Sequence, residues 1–189
     1  MGQDLASLRD IGDSESFLAL LDRIVSDTFT EDYWNITLPN ELATSSPQSP
    51  SLFAYYAALN LLDARVLFSN MKVSELLDPA LNPKKTPIER HHLFPKGYLA
   101  KAGITQSRDT NQIANYALVE WPDNVGISDK SPAKYFPQYA ARLSTDELDS
   151  MRFWHALSEG WEHMEYRQFL EERRKLIAQV ICSGFSRLL

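Results

Sequence analysis

Residues 88–95, Ile88-Glu89-Arg90-His91-His92-Leu93-Phe94-Pro95, set two adjacent imidazoles ahead of an apolar pair and a proline. In an extended chain neighbouring side chains point to opposite faces, so His91 and His92 serve different tasks unless the strand bends between them. Pro95 suits the first position of a short helix over 96–102, which Gly103 closes. A polar loop over 105–111 comes next. After it lies the strand-like run 114–121, with its strand at Asn115-Tyr116-Ala117-Leu118-Val119-Glu120. The run ends at Trp121-Pro122-Asp123-Asn124, and Ser131-Pro132 supplies an N-cap and first position for a helix. The order is a strand bearing the histidine pair, a loop, a strand bearing Asn115, and Asn124 leading into a helix.

Both flanks of this segment have helical periodicity. Over 15–29, Phe17, Leu18, Leu20, Leu21, Ile24, Val25 and Phe29 fall at helical spacing. The stretch 38–51 concentrates Pro and Ser and reads as an exposed loop. From 52 to 68 the apolar residues occupy all faces, which predicts a central helix buried by its neighbours. A short helix over 73–77 should stop at Asp78 because Pro79 is next, and 79–87, with three prolines, reads as a connection. Ser144 and Glu147 make a capping box for a helix that Gly160 ends. A last helix places Tyr166, Phe169, Leu170, Leu176, Ile177, Val180 and Ile181 on one stripe, with Gly184 as C-cap. The run Arg173-Arg174-Lys175 reads as its solvated face, and Cys182 as a small packed residue.

Length and composition bound the rest. At 189 residues and 44% hydrophobic content the chain suits one domain, which should bury about 70% of its unfolded surface. The fold class expected is α+β, predominantly helical. A helical flank (1–85), a strand-strand-helix core (86–137) and a second helical flank (138–189) divide it. One cysteine excludes an internal disulfide framework and suits a reducing cytoplasm, and the absence of Cys-x-x-Cys removes thiolate zinc and iron–sulfur sites. Acids near the N-terminus argue against a signal peptide, and no run is apolar enough to span a membrane.

The strand-loop-strand-helix order with His91-His92, Asn115 and Asn124 resembles the HNH, or ββα-metal, nuclease motif. The resemblance implies that His91 occupies a metal-ligand place usually held by Asp, and His92 the general-base place. It implies a bracing role for Asn115 and a second metal ligand in Asn124. Both ligand positions depart from the usual Asp and His. More widely, ERHHLFPKGYL, NQIANYALVEW, DNVGISDKSPAKY and GWEHMEYRQFLEERRKLIA look like the C-terminal nuclease region of GmrSD-type restriction enzymes. These are prokaryotic defence proteins that cut foreign, often modified, DNA. Members of that family also carry an NTP-binding domain with an Asp-Gly-Gln-Gln-Arg motif, which nothing here matches. The implied partners are therefore DNA and an NTP-binding domain elsewhere.

The residue types suit that chemistry. A neutral imidazole with a pKa near about 6.5 can take the proton of an attacking water. A divalent metal stabilises the phosphate and the leaving oxygen. Mg²⁺ prefers oxygen ligands, so Asn124 suits it, whereas His91 suits Mn²⁺ or Ni²⁺ better. The net charge of −6 disfavours non-specific DNA binding, but Lys84, Lys85, Arg90, Lys96 and Lys101 face one acid, Glu89, between residues 84 and 101. That local +4 forms a candidate DNA surface, which Lys130 extends. Glu89, Asp123 and Asp129 read as solvated, His155 and His163 as structural, and Trp121 and Trp161 as core or loop anchors. The competing function is a DNA-docking or assembly module that keeps the fold without cutting, favoured by the net charge and by a ligand set without a carboxylate.

Overall fold

A computed structural model describes residues 11–78 and 90–189 of the chain. Asp13 opens helix α1 (Ser14–Thr28), its carboxylate accepting the Ser16 N–H at 2.8 Å. A π-helical turn, Tyr33–Thr37, runs into α2 (Leu38–Glu41), and Pro50 starts α3 (Pro50–Leu61). The loop expected over 38–51 is thus only partly a loop. Leu38 and Leu42 lie four apart on one helical face, and burying both outweighs the Pro/Ser composition of residues 43–51.

The helix expected over 52–68 also stops short. It ends at Leu61, and Asp63 and Phe68 take left-handed φ of 53° and 66°. Residues 64–68 enter the core as an extended turn instead. The Val66 N–H donates to the Met71 carbonyl at 2.8 Å, and the Leu67 N–H to the Leu118 carbonyl at 3.0 Å. An all-round apolar pattern fits a buried turn as well as a buried helix, and periodicity alone does not separate them. Helix α4 (Val73–Leu77) has the expected end, with Asp78 as its C-cap. The connection expected over 79–87 lies outside the described residues.

The middle of the chain then alternates short elements: β1 (Arg90–His92), α5 (Lys96–Lys101), α6 (Ser107–Thr110), a 3-10 turn (Ile113–Asn115), β2 (Tyr116–Leu118) and α7 (Trp121–Ile127). β1 and β2 pair antiparallel, with Arg90 opposite Leu118, His91 opposite Ala117 and His92 opposite Tyr116. Ser131 and Pro132 open α8 (Pro132–Ala140) as expected. Ser144 and Glu147 form a complete capping box on α9 (Thr145–Trp154). That helix ends at Trp154, ahead of Gly160, because the chain turns through Ala156 at φ 54°.

The C-terminal helix, α10 (Tyr166–Phe185), packs along α3 and α2 and is the spine of the fold. Gly184 is not its cap. It lies inside the helix where α10 crosses α3, and a Cβ there would come within 2.6 Å of the Ala58 Cβ. Arg173 is 1% exposed, so it is not part of a solvated face. Below the turn after β1, Phe94 packs on Phe169 at 4.8 Å and on Trp161 at 5.9 Å between ring centroids, fixing the hairpin to α10. The described fold is predominantly helical with one two-stranded antiparallel sheet. No helix among the described residues is long and apolar enough to cross a membrane.

Candidate active site

Asn115 holds the hairpin together. It is fully buried, and its Oδ1 accepts the Phe94 N–H at 2.8 Å. Its Nδ2 donates to the Phe94 carbonyl at 3.1 Å and to the Thr110 carbonyl at 3.0 Å. A carboxamide suits the position because one acceptor and two donors are needed there. On either side, the Leu93 N–H donates to the Asn115 carbonyl at 2.9 Å, and Tyr135 Oη donates to the Leu93 carbonyl at 2.8 Å. From below, the Arg173 guanidinium donates to the Ala114 carbonyl at 2.7 Å and to the His155 carbonyl at 3.1 Å. Such a cation with carbonyl partners at its Nε and NH1 fixes the turn that presents Asn115.

The alternation of β1 sends the two histidines to different partners. His91 is 3% exposed, and its Nδ1–H donates to Asn124 Oδ1 at 2.8 Å. Its ring packs T-shaped against Tyr135 at 5.9 Å, and its Nε2 is buried without a hydrogen-bond partner among the described residues. Burial pushes the His91 pKa down to about 4, against the opposing pull of the Asn124 bond. His92 is half-buried, edge-on to Tyr116 at 4.9 Å, and its Nε2–H donates to Asn111 Oδ1 at 3.0 Å. Burial lowers its pKa too, with the Asn111 bond opposing and the Lys96 ammonium adding to the shift. Both rings are therefore neutral at neutral pH.

Of the expected site residues, His91 and Asn124 come together, and Asn115 sits between the segments it was expected to brace. Asn124 lies within α7, on the helix that comes after β2, and not ahead of it. Arg90 stacks over Tyr116 at 5.7 Å, beside His92. Lys96 and Lys101 are exposed at the two ends of α5. Lys130 folds back to donate to the Gly126 carbonyl at 2.7 Å. Lys84, Lys85 and Glu89 lie outside the described residues. Asp123 is not simply solvated, since Arg142 pairs with it at 3.2 Å. Asp129 is exposed, its carboxylate lying against Gly97. His155 is a core residue donating to the Arg65 carbonyl at 2.9 Å, whereas His163 is exposed. Trp161 is a core anchor, but Trp121 is 55% exposed.

Asn111, Tyr116 and Tyr135 are the site residues the sequence left unmarked. Asn111 is 19 positions from His92 in a polar loop, and only the folding of α6 brings it to the ring. Among the described residues no group of three His, Cys, Asp or Glu side chains converges on a point. The donor set His91 Nδ1 and Asn124 Oδ1, 2.8 Å apart, nevertheless fits two neighbouring positions on one divalent cation once the ring proton sits on Nε2. Comparison of the chain with protein-family models, curated proteins and solved structures finds no match.

Proposed function

We propose that this chain is a metal-dependent endonuclease or nickase of the HNH type that hydrolyses DNA phosphodiesters. The observation that carries the reading is the division of labour on β1. His91 pairs with Asn124 on α7, His92 pairs with Asn111, and Asn115 braces the turn between the strands. The order β1, β2, α7 supports the reading, although Asn115 lies in the turn before β2 and Asn124 inside α7 rather than at its start.

The ring proton of His92 is held on Nε2 by Asn111, so the Nδ1 lone pair is the base. Nδ1 makes no hydrogen bond among the described residues. That ring takes the proton of the attacking water. His91 and Asn124 would hold a divalent cation. Such an ion, when bound, supplies electrostatic stabilisation to the phosphate and to the departing oxygen. Arg90 and Lys96, exposed beside His92, supply positive charge to a strand lying across the hairpin. Because one of the two metal-binding groups is an imidazole, softer than the oxygen ligands Mg²⁺ prefers, Mn²⁺ or Ni²⁺ is favoured over Mg²⁺. The wider resemblance assigns the chain to a prokaryotic, cytoplasmic defence system in which an NTP-binding domain works with it.

A DNA-docking module without catalysis is the second reading. That no group of three His, Cys, Asp or Glu side chains converges on a point among the described residues favours it. Incubation of the purified chain with supercoiled plasmid, with Mn²⁺ or with a chelator, separates the two. Metal-dependent conversion to open-circular DNA supports the nuclease. Binding without conversion at any metal concentration supports the docking module.

A further inference from the structure

A cleft of about 480 Å³ opens beside residues 108–112, the segment that carries Asn111 to His92. Its lining is mostly polar: Ile104, Leu170 and Tyr166 are joined by three cations, Arg108, Arg167 and Arg174, and by two acids, Asp109 and Glu171. Arg167 and Arg174 lie seven residues apart on α10, two helical turns and about 10 Å along one face. Neither guanidinium makes an ion pair or hydrogen bond among the described residues. Glu171 stands between them, within helical reach of both, yet it forms no ion pair with either. Arg108 is 80% exposed at its side chain and only loosely paired with Asp109, at 3.7 Å. Two guanidiniums unpaired among the described residues, in a cleft where three cations face two acids, mark a locally positive spot in a chain of net charge −6, where a polyanion is attracted.

The cleft is also tied to the catalytic candidates. Tyr166 Oη donates to the Asp109 carbonyl at 2.8 Å, and the next carbonyl, Thr110, accepts from Asn115. Gln112 lines the cleft, while its neighbour Asn111 accepts from His92. One short segment therefore forms the wall of the cleft and supports the base.

We propose that this cleft binds a phosphate ester of the nucleic-acid strand presented to His92, with Arg167 and Arg174 as its principal contacts. The inference rests on the nuclease reading for the identity of the ligand. Guanidinium suits it because its planar fork matches two phosphate oxygens.

The test is binding by the full chain to a fluorescein-labelled single-stranded oligonucleotide in the presence of a chelator, read by anisotropy across a salt series. The R167Q/R174Q double variant should raise Kd at least about tenfold, the loss expected when charge-assisted contacts are removed. The slope of log Kd against log salt should fall by about 1.4, two phosphate contacts on a single strand. R187Q, an exposed cation elsewhere, should fall well short of both effects. If the double variant behaves like R187Q, or if the wild type does not bind, the proposal is overturned. A second arm titrates adenosine monophosphate. Arginine-dependent binding of the mononucleotide without arginine-dependent binding of the oligonucleotide also overturns it, in favour of a free-nucleotide site. Because no step requires cleavage, a failure here leaves plasmid cutting to be judged separately, and a failure to cut leaves this binding result standing.

Discussion

Asn115 directs all three of its amide hydrogen bonds at main-chain groups on two segments, Phe94 after β1 and Thr110 before β2. Replacing it by Asp keeps the shape but removes both donors and brings a buried carboxylate against two carbonyls. Asn115→Asp should therefore cost about 3 kcal/mol or more. A urea midpoint equal to that of the wild type would contradict the bracing role. His91 and Asn124 carry a different prediction, about selectivity. In His91→Asp, a hard anionic ligand replaces the imidazole, so the ratio of nicking rates in Mg²⁺ and Mn²⁺ should move several-fold toward Mg²⁺. An unchanged ratio would rule out His91 as a ligand of the proposed metal. At this scale the sequence marks residues that sit in recognisable spacing, such as the histidine pair and Asn115. It does not mark Asn111, whose only distinction is a position created by the folded loop. Arg173 is misread because a charged residue off the apolar stripe is normally solvated, whereas here two carbonyls and the depth of the core draw it in.

Elements with local chemical signals were legible: the Ser144–Glu147 capping box, Ser131-Pro132 at α8 and the pairing of two short strands, although the second, expected over Asn115–Glu120, spans only Tyr116–Leu118 and leaves Asn115 in the 3-10 turn before it. Elements decided by tertiary packing were not. The turn over residues 64–68 is held by Leu67 bonding to β2, and α2 by leucines that pack toward α10, neither of which is local information. Gly184 is the clearest case. Near a helix end a glycine reads as a cap, but its missing Cβ is what lets α10 approach the backbone of α3 at Ala58. Gly184→Val should force the two helices apart and destabilise the protein by about 1–3 kcal/mol, the usual cost of overpacking. Thermal unfolding of this variant at the wild-type temperature would show that the crossing is looser than described.

Across the whole molecule, buried neutral histidines make stability depend on pH. His91 and His155 both have their pKa pushed down to about 4 by burial, against an ordinary value of 6.5. Between those values the unfolded chain takes up protons that the folded chain does not. Stability is then fully present above about pH 6.5 and lost as pH falls toward 4, by on the order of 3 kcal/mol for each ring. His155→Gln keeps a donor for the Arg65 carbonyl without titrating, so its stability should fall less steeply between pH 7 and pH 4.5. Equal pH dependence of urea midpoints in the two proteins would contradict this. The central claim, that the β1 hairpin hydrolyses DNA with His92 as base, is tested most directly by the initial rate of supercoiled-plasmid nicking in Mn²⁺ for wild type and His92→Ala. Circular dichroism serves as the folding control. The account predicts metal-dependent nicking by the wild type and a loss of at least about a hundredfold in a folded His92→Ala protein, the scale of general-base catalysis. Nicking by His92→Ala at the wild-type rate would contradict it.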